Sequence, residues 1–158
     1  MGLFGTRHVN KGSVEQVAGM IEKFFRSRGL DSDGHVVETC AGYGWWLTQG
    51  SAKIYVFVQD DKGGPVLRIN SPILHFPEGD RQRFYLHLLE LNRDLTDCWL
   101  CVCDEVVIVT AQRPTLGLDQ EELDSLIWSV AQVADLLDDR LAREFNARVF
   151  SQSEAVST

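Results

Sequence analysis

The sequence predicts an α+β fold: an antiparallel sheet of about five strands with three helices, in the order α-β-β-β-α-β-β-α. Apolar residues recur at helical spacing in three separated segments, and between those segments the period shortens to two. The strand-like runs are interspersed with helices and joined by tight turns. That pattern indicates an antiparallel sheet with helices packed on one face.

The first helix is expected from Ser13 to Arg28. Ser13 and Gln16 form a capping-box pair, and Val14, Val17, Ala18, Ile21, Phe24 and Phe25 fall on one face. Gly29 supplies the left-handed stop. Val36–Cys40 and Gly44–Thr48 are short strand candidates broken by Gly42 and Gly44. Lys53–Gln59 alternates clearly, with Ile54, Val56 and Val58 on one side and Tyr55 and Phe57 on the other. The cluster Asp60-Asp61-Lys62-Gly63-Gly64 reads as a turn, and Val66–Leu74 returns as its partner. A second helix is expected over Arg81–Asp94, capped by Asp80. Its buried stripe is read as Phe84, Leu88, Leu91 and Leu95, widened by Tyr85 and Leu89. Cys98–Cys103 and Val106–Gln112 form a hairpin about Asp104-Glu105. That pair is not ideal for a two-residue turn, so a longer turn is open. In the last helix Asp119 is the cap and Glu122 completes the box. Leu123, Leu126, Ile127, Val130, Val133, Ala134, Leu137 and Leu141 make its apolar face; Glu121, Asp124, Asp135, Asp138 and Asp139 make its acidic one. Residues 1–150 are read as one domain with its core over about 13–142; beyond Asn146 the chain turns small and polar, and 151–158 is expected to be a flexible tail.

The bulk properties narrow the function. With 158 residues and 44% hydrophobic content, the chain supports one core of its own. The net charge of −8 is uneven: residues 1–76 carry eight Lys/Arg against seven Asp/Glu, and residues 77–158 carry seven Arg against sixteen Asp/Glu. Such a surface repels phosphate backbones, which disfavours nucleic acid and suits a basic or amphipathic protein partner. No apolar run approaches the ~18 residues of a membrane span, and the start has no secretory pattern, so the expected location is the cytoplasm. Met1–Thr6 fits the short N-myristoylation template, but without a basic cluster the reading preferred here is a frayed terminus.

Catalytic chemistry is not indicated. Cys98-x-x-Cys101, with Cys103 close by, matches a redox or metal spacing. On a strand, however, Cys98 and Cys101 point to opposite faces, and no second pair follows. They are read as small apolar side chains, with a thiol-based redox or metal-binding protein as the alternative. His8, His35, His75 and His87 show no ligand spacing, and Ser51 has no nucleophile elbow around it. No metal or cofactor is expected.

The informative feature is a sheet apolar on both faces. Leu100 and Val102 point with Val107 and Val109 toward the helices. Trp99, Cys101 and Cys103 point the other way with Val106 and Ile108, as Tyr55 and Phe57 do on their own strand. If helices cover one face, the other is an apolar surface of a size that monomers seldom leave bare. It can be a homodimer contact, a groove for a partner segment, or a surface covered by the N-terminal region. The first two are preferred, with Tyr55, Phe57, Trp99, Cys101 and Ile108 as the partner-binding residues. Of the consecutive pair Trp45 and Trp46, one cannot face the core.

The run Leu88-Leu89-Glu90-Leu91-Asn92-Arg93-Asp94-Leu95 closes the middle helix and leads into the Cys98–Val109 hairpin and a long helix of acidic start. In this arrangement residues 13–142 resemble the YbjN-like proteins, which share their fold with the type III secretion chaperones of the CesT class. The resemblance implies a non-enzymatic fold that commonly dimerises and, in the secretion chaperones, wraps an unfolded segment of a partner. It also implies that Asn92 either ties the helix end to the hairpin or simply caps the helix. The cysteine-rich hairpin and Trp45-Trp46 have no counterpart in that pattern.

Overall fold

Five strands, β1 (Tyr43–Gln49), β2 (Ala52–Asp61), β3 (Gly64–His75), β4 (Trp99–Cys103) and β5 (Val106–Pro114), form one sheet in the order β1-β2-β3-β5-β4. Every neighbouring pair is antiparallel. The computed structural model describes residues 11–151; the myristoylation pattern and the tail from 152 on lie outside them. Three long helices accompany the sheet among these residues: α1 (Val14–Ser27), α2 (Arg81–Asn92) and α3 (Gln120–Phe145). The element order is the expected one, with a 3₁₀ turn at Ser32–His35 added.

One core lies between the helices and one sheet face. Trp45, Leu47, Ile54, Val56, Val58, Leu67, Ile69, Leu100, Val107 and Val109 meet Ile21, Phe24 and Phe25 of α1, Phe84 and Leu88 of α2, and the apolar stripe of α3 in a single cluster. The caps form as their residue types require. Ser13 and Gln16 close a full capping box, Asp80 accepts from the Arg83 N–H, and Asp119 accepts from the Glu122 N–H.

Several expectations are corrected. Val36–Cys40 forms no strand: Val36 makes one isolated bridge to Trp45 and is 58% exposed, and from Thr39, whose hydroxyl donates to the Ala41 and Gly42 carbonyls, the chain already turns toward β1. The Asp104-Glu105 turn has two residues, with Cys103 opposite Val106 and both turn residues at positive φ. A bidentate contact from Arg81 to Glu105 holds that strained tip to α2. In α2 only Phe84 and Leu88 are fully buried; Tyr85 and Leu89 face solvent, and Leu91 and Leu95 are half-buried. Glu122 pairs with Arg113 rather than completing a box. After the Asn146 cap the chain does not fray at once: Val149 bridges Leu74, the Phe150 N–H donates to Ile73, and the Phe150 ring stacks on His75.

Asp138, expected on the solvated face of α3, is 2% exposed. The Ser51 hydroxyl lies 2.5 Å from its Oδ2 and 2.9 Å from Asp135 Oδ1, and the Ser51 N–H donates to Asp135 at 2.9 Å. The β1–β2 turn is thereby clamped to the helix. Gly50 permits the approach, since a Cβ there would stand 2.1 Å from Asp135 Oδ1. Ser51→Ala removes a hydroxyl shared by two carboxylates and is expected to cost about 1.5–3 kcal/mol in urea unfolding.

Candidate functional site

The sheet face away from the helices carries the five partner-binding candidates, Tyr55, Phe57, Trp99, Cys101 and Ile108. Register places Trp46, Tyr55, Asn70, Thr110 and Trp99 in one row from β1 to β4, across the whole sheet. Phe57, Arg68 and Gln112 make the row on one side of it; Pro72, Ile108 and Cys101 make the row on the other. None of these residues belongs to the helix-side core. The splitting of the tryptophan pair is as expected: Trp45 is buried on the helix side and Trp46 stands half-buried on this face.

The five candidates fall into two groups. Tyr55 and Phe57 stack in parallel at 6.3 Å between ring centroids. The Lys53 ammonium lies over both Trp46, at 4.9 Å, and Tyr55, at 5.6 Å. Tyr55 is only 7% exposed, and its burial pushes the phenol above its ordinary pKa. It is the floor of this aromatic cluster, while Phe57 and Trp46 present its accessible edges. The other group is Trp99, 41% exposed, with half-buried Cys101 directly opposite half-buried Ile108.

A polar seam lies between them. The Thr110 hydroxyl donates to Asn70 Oδ1 at 2.7 Å, and Arg68 Nε donates to Gln112 Oε1 at 3.2 Å. Pro72, buried and opposite Ile108, bridges the groups on the far side of the seam. Sequence reasoning omitted Trp46, Pro72 and the seam. Trp46 carried a signal, being of the same parity as Tyr55 once paired. The seam carried none, because it appears only when β3 and β5, thirty-odd residues apart in sequence, come side by side. The surface therefore offers two apolar seats flanking a line of hydrogen-bonding groups.

The cysteines do not converge. Cys98 is buried in the helix-side core, Cys101 lies on the opposite face, and Cys40 and Cys103 are exposed; all four are free thiols. Burial is the main cause pushing Cys98 and Cys101 above the ordinary thiol pKa, aided by Asp97 and by Cys103 respectively. That lowers the thiolate fraction on which redox and metal chemistry depend. Asn92 settles its two alternatives by geometry: Oδ1 accepts the Leu100 N–H at 2.6 Å and Nδ2 donates to the Leu100 carbonyl at 3.1 Å. It ties α2 to the outer edge of β4, and the helix cap falls on Arg93 instead.

Comparison with known proteins identifies the family and the fold. A family model described as "T3SS (YopN, CesT) and YbjN peptide-binding chaperone 1" matches residues 14–153. No curated protein matches the sequence. Among solved structures, a chain of the crystal structure of the ExsC-ExsE complex superposes with a TM-score of 0.58 at 14% identity, covering 80% of this chain and 93% of that one. At that identity the likeness is one of fold.

Proposed function

Because the chain belongs to the family of T3SS and YbjN peptide-binding chaperones, we propose that it is a non-enzymatic cytoplasmic module whose helix-free sheet face receives a segment of a partner protein. The observation that carries this is the paired apolar seats on that face, Trp46–Tyr55–Phe57 and Trp99–Cys101–Ile108, separated by groups able to hydrogen-bond an extended backbone. Anchors set in partly buried pockets and rimmed by polar groups are the anatomy of a recognition surface. The solved structure with the similar fold is itself a complex, which fits such a role. Four free thiols fit a reducing compartment. Among the described residues no helix is long and apolar enough to cross a membrane.

Pairing of two copies belongs to the same reading. The solvent side of α2 carries Leu86 and Leu89, 57% and 68% exposed, with Tyr85 beside them. That surface is separate from the sheet face, so pairing there leaves both seats open.

The test is a peptide array of extended segments probed with the protein and with Phe57→Asp/Ile108→Asp. Loss of anchors in two seats is expected to weaken the best segments by at least about 30-fold, the worth of roughly 2 kcal/mol. The circular dichroism spectrum should be unchanged. Equal binding by the folded double variant overturns the assignment of this face. Light scattering of the same preparations reports pairing.

A further inference from the structure

β5 outruns its neighbour. It continues to Pro114 and stays paired with β3 as far as Val66, yet β4 begins only at Trp99, opposite Thr110. The direction of its unpaired backbone groups follows from two observations. Both polar groups of Leu100 turn away from β5 to Asn92, so Trp99 and Cys101 are the β4 residues that bond to Thr110 and Ile108. Counting on by two, Gln112 presents its N–H and C=O to the β4 side. Thr115, three residues further, donates its N–H to Pro65 on the β3 side, as this alternation requires. Asp97, at φ 63°, turns the incoming chain out of the line of β4 before it reaches Gln112. Among the described residues Gln112 has no backbone hydrogen bond on that side.

Beside this gap lies an open cleft of about 680 Å³. Its apolar lining includes Cys98, Trp99, Leu126 and Leu116, the last 68% exposed. Its charge is acidic: Asp97 and Glu122 line it, and Asp119 and Glu121 line its continuation. Arg113, the cation among these residues, is already engaged with Glu122 and with the carbonyls of Pro114 and Leu116.

We infer that this gap takes an extended, basic segment of a partner protein as a short added strand in line with β4. The inference rests on the peptide-binding reading above and gives one end of the bound segment its seat. Residues 111–114 offer about 14 Å of strand edge. A side chain level with Gln112 shares the outer face with Trp99, and its neighbours face the acidic end of α3. Charge complementarity selects lysine or arginine for those positions. A second copy of this chain is a poor occupant: Asn92 closes its β4 edge at Leu100, and its second half is itself acidic.

The test uses the capped peptides (Lys-Val)₃ and (Glu-Val)₃, followed through the backbone amide resonances of the full chain. The basic peptide is expected to shift Gln112 most, and the acidic peptide not at all. Gln112→Pro removes the N–H together with the exposed Arg68–Gln112 side-chain bond, and Gln112→Ala, which loses that side-chain bond alone, is the control; the proline variant is expected to bind at least about tenfold more weakly than the alanine one. N-methylation of alternate peptide residues, which leaves the protein untouched, is expected to abolish binding in one register and spare it in the other. Unaltered affinity in both experiments, equal binding of the acidic peptide, or no binding at about 1 mM overturns the inference. Shifts confined to Phe57 and Ile108 also overturn it but leave the sheet-face reading standing. The opposite pattern, a Gln112 response with an inert Phe57→Asp/Ile108→Asp variant, rejects the face and keeps the gap.

Discussion

Phe84→Ala is expected to cost about 3–5 kcal/mol in denaturant unfolding, the usual range for emptying a buried phenylalanine site. Two buried side chains hold α2 in the core, and Phe84 is the larger. The other is Leu88. Phe84 itself is 0% exposed, meets Phe76 edge-on at 5.0 Å and meets Phe145 of α3 at 4.7 Å. Deleting the ring removes both aromatic contacts and leaves a void that rigid strands beneath cannot fill. Against a total stability of about 5–15 kcal/mol, this is about a fifth of the whole or more. The melting temperature should fall by roughly 6–20 °C. A drop of under about 1 kcal/mol contradicts the packing described.

Asn92→Ala is expected to cost about 2–4 kcal/mol and to change the solution behaviour as well. Leu100 is 5% exposed, so the N–H and C=O released by the substitution have little water to turn to. The edge of β4 is also unmasked, and an open strand edge templates pairing with other chains. The expected signature is therefore double: a lower urea midpoint, and light scattering that rises with protein concentration. Asn92→Asp separates the two bonds, because it keeps an acceptor for the Leu100 N–H but sets a second acceptor against the carbonyl. Hydrogen exchange at the Leu100 amide should accelerate in the alanine variant far more than in the aspartate one.

Much of this architecture is legible in the amino-acid sequence. Ser13 with Gln16, and Asp119 ahead of Leu123, mark helix starts through local hydrogen-bonding chemistry that needs no tertiary context. Ile54, Val56 and Val58 against Tyr55 and Phe57 announce two sheet faces, because strand parity is itself a local property. What failed was whatever depends on a distant partner. Tyr85, Leu86, Leu88, Leu89 and Leu91 surround α2 with apolar groups, so periodicity alone does not choose between Leu88, which is buried, and Leu89, which is 68% exposed. Asp138 reads as solvated until Ser51, eighty-seven residues earlier, is brought against it. The gap beside Gln112 depends on the difference in length between two strands, and strand ends are set by turns such as that at Asp97.

The clamp at Ser51 also bears on when this molecule can form. Its first hairpin is fastened by carboxylates on the final helix, Thr115 Oγ1 reaches back 103 positions to the Gly12 carbonyl, and Val149 bridges Leu74. Contacts so remote along the polypeptide make closure entropy a leading contribution to the folding barrier. During synthesis the aromatic and aliphatic strands emerge well before α3, the element that seals them. A nascent chain thus carries its greasiest portion uncovered until translation has passed Asp138, and that interval is where aggregation competes most strongly with folding.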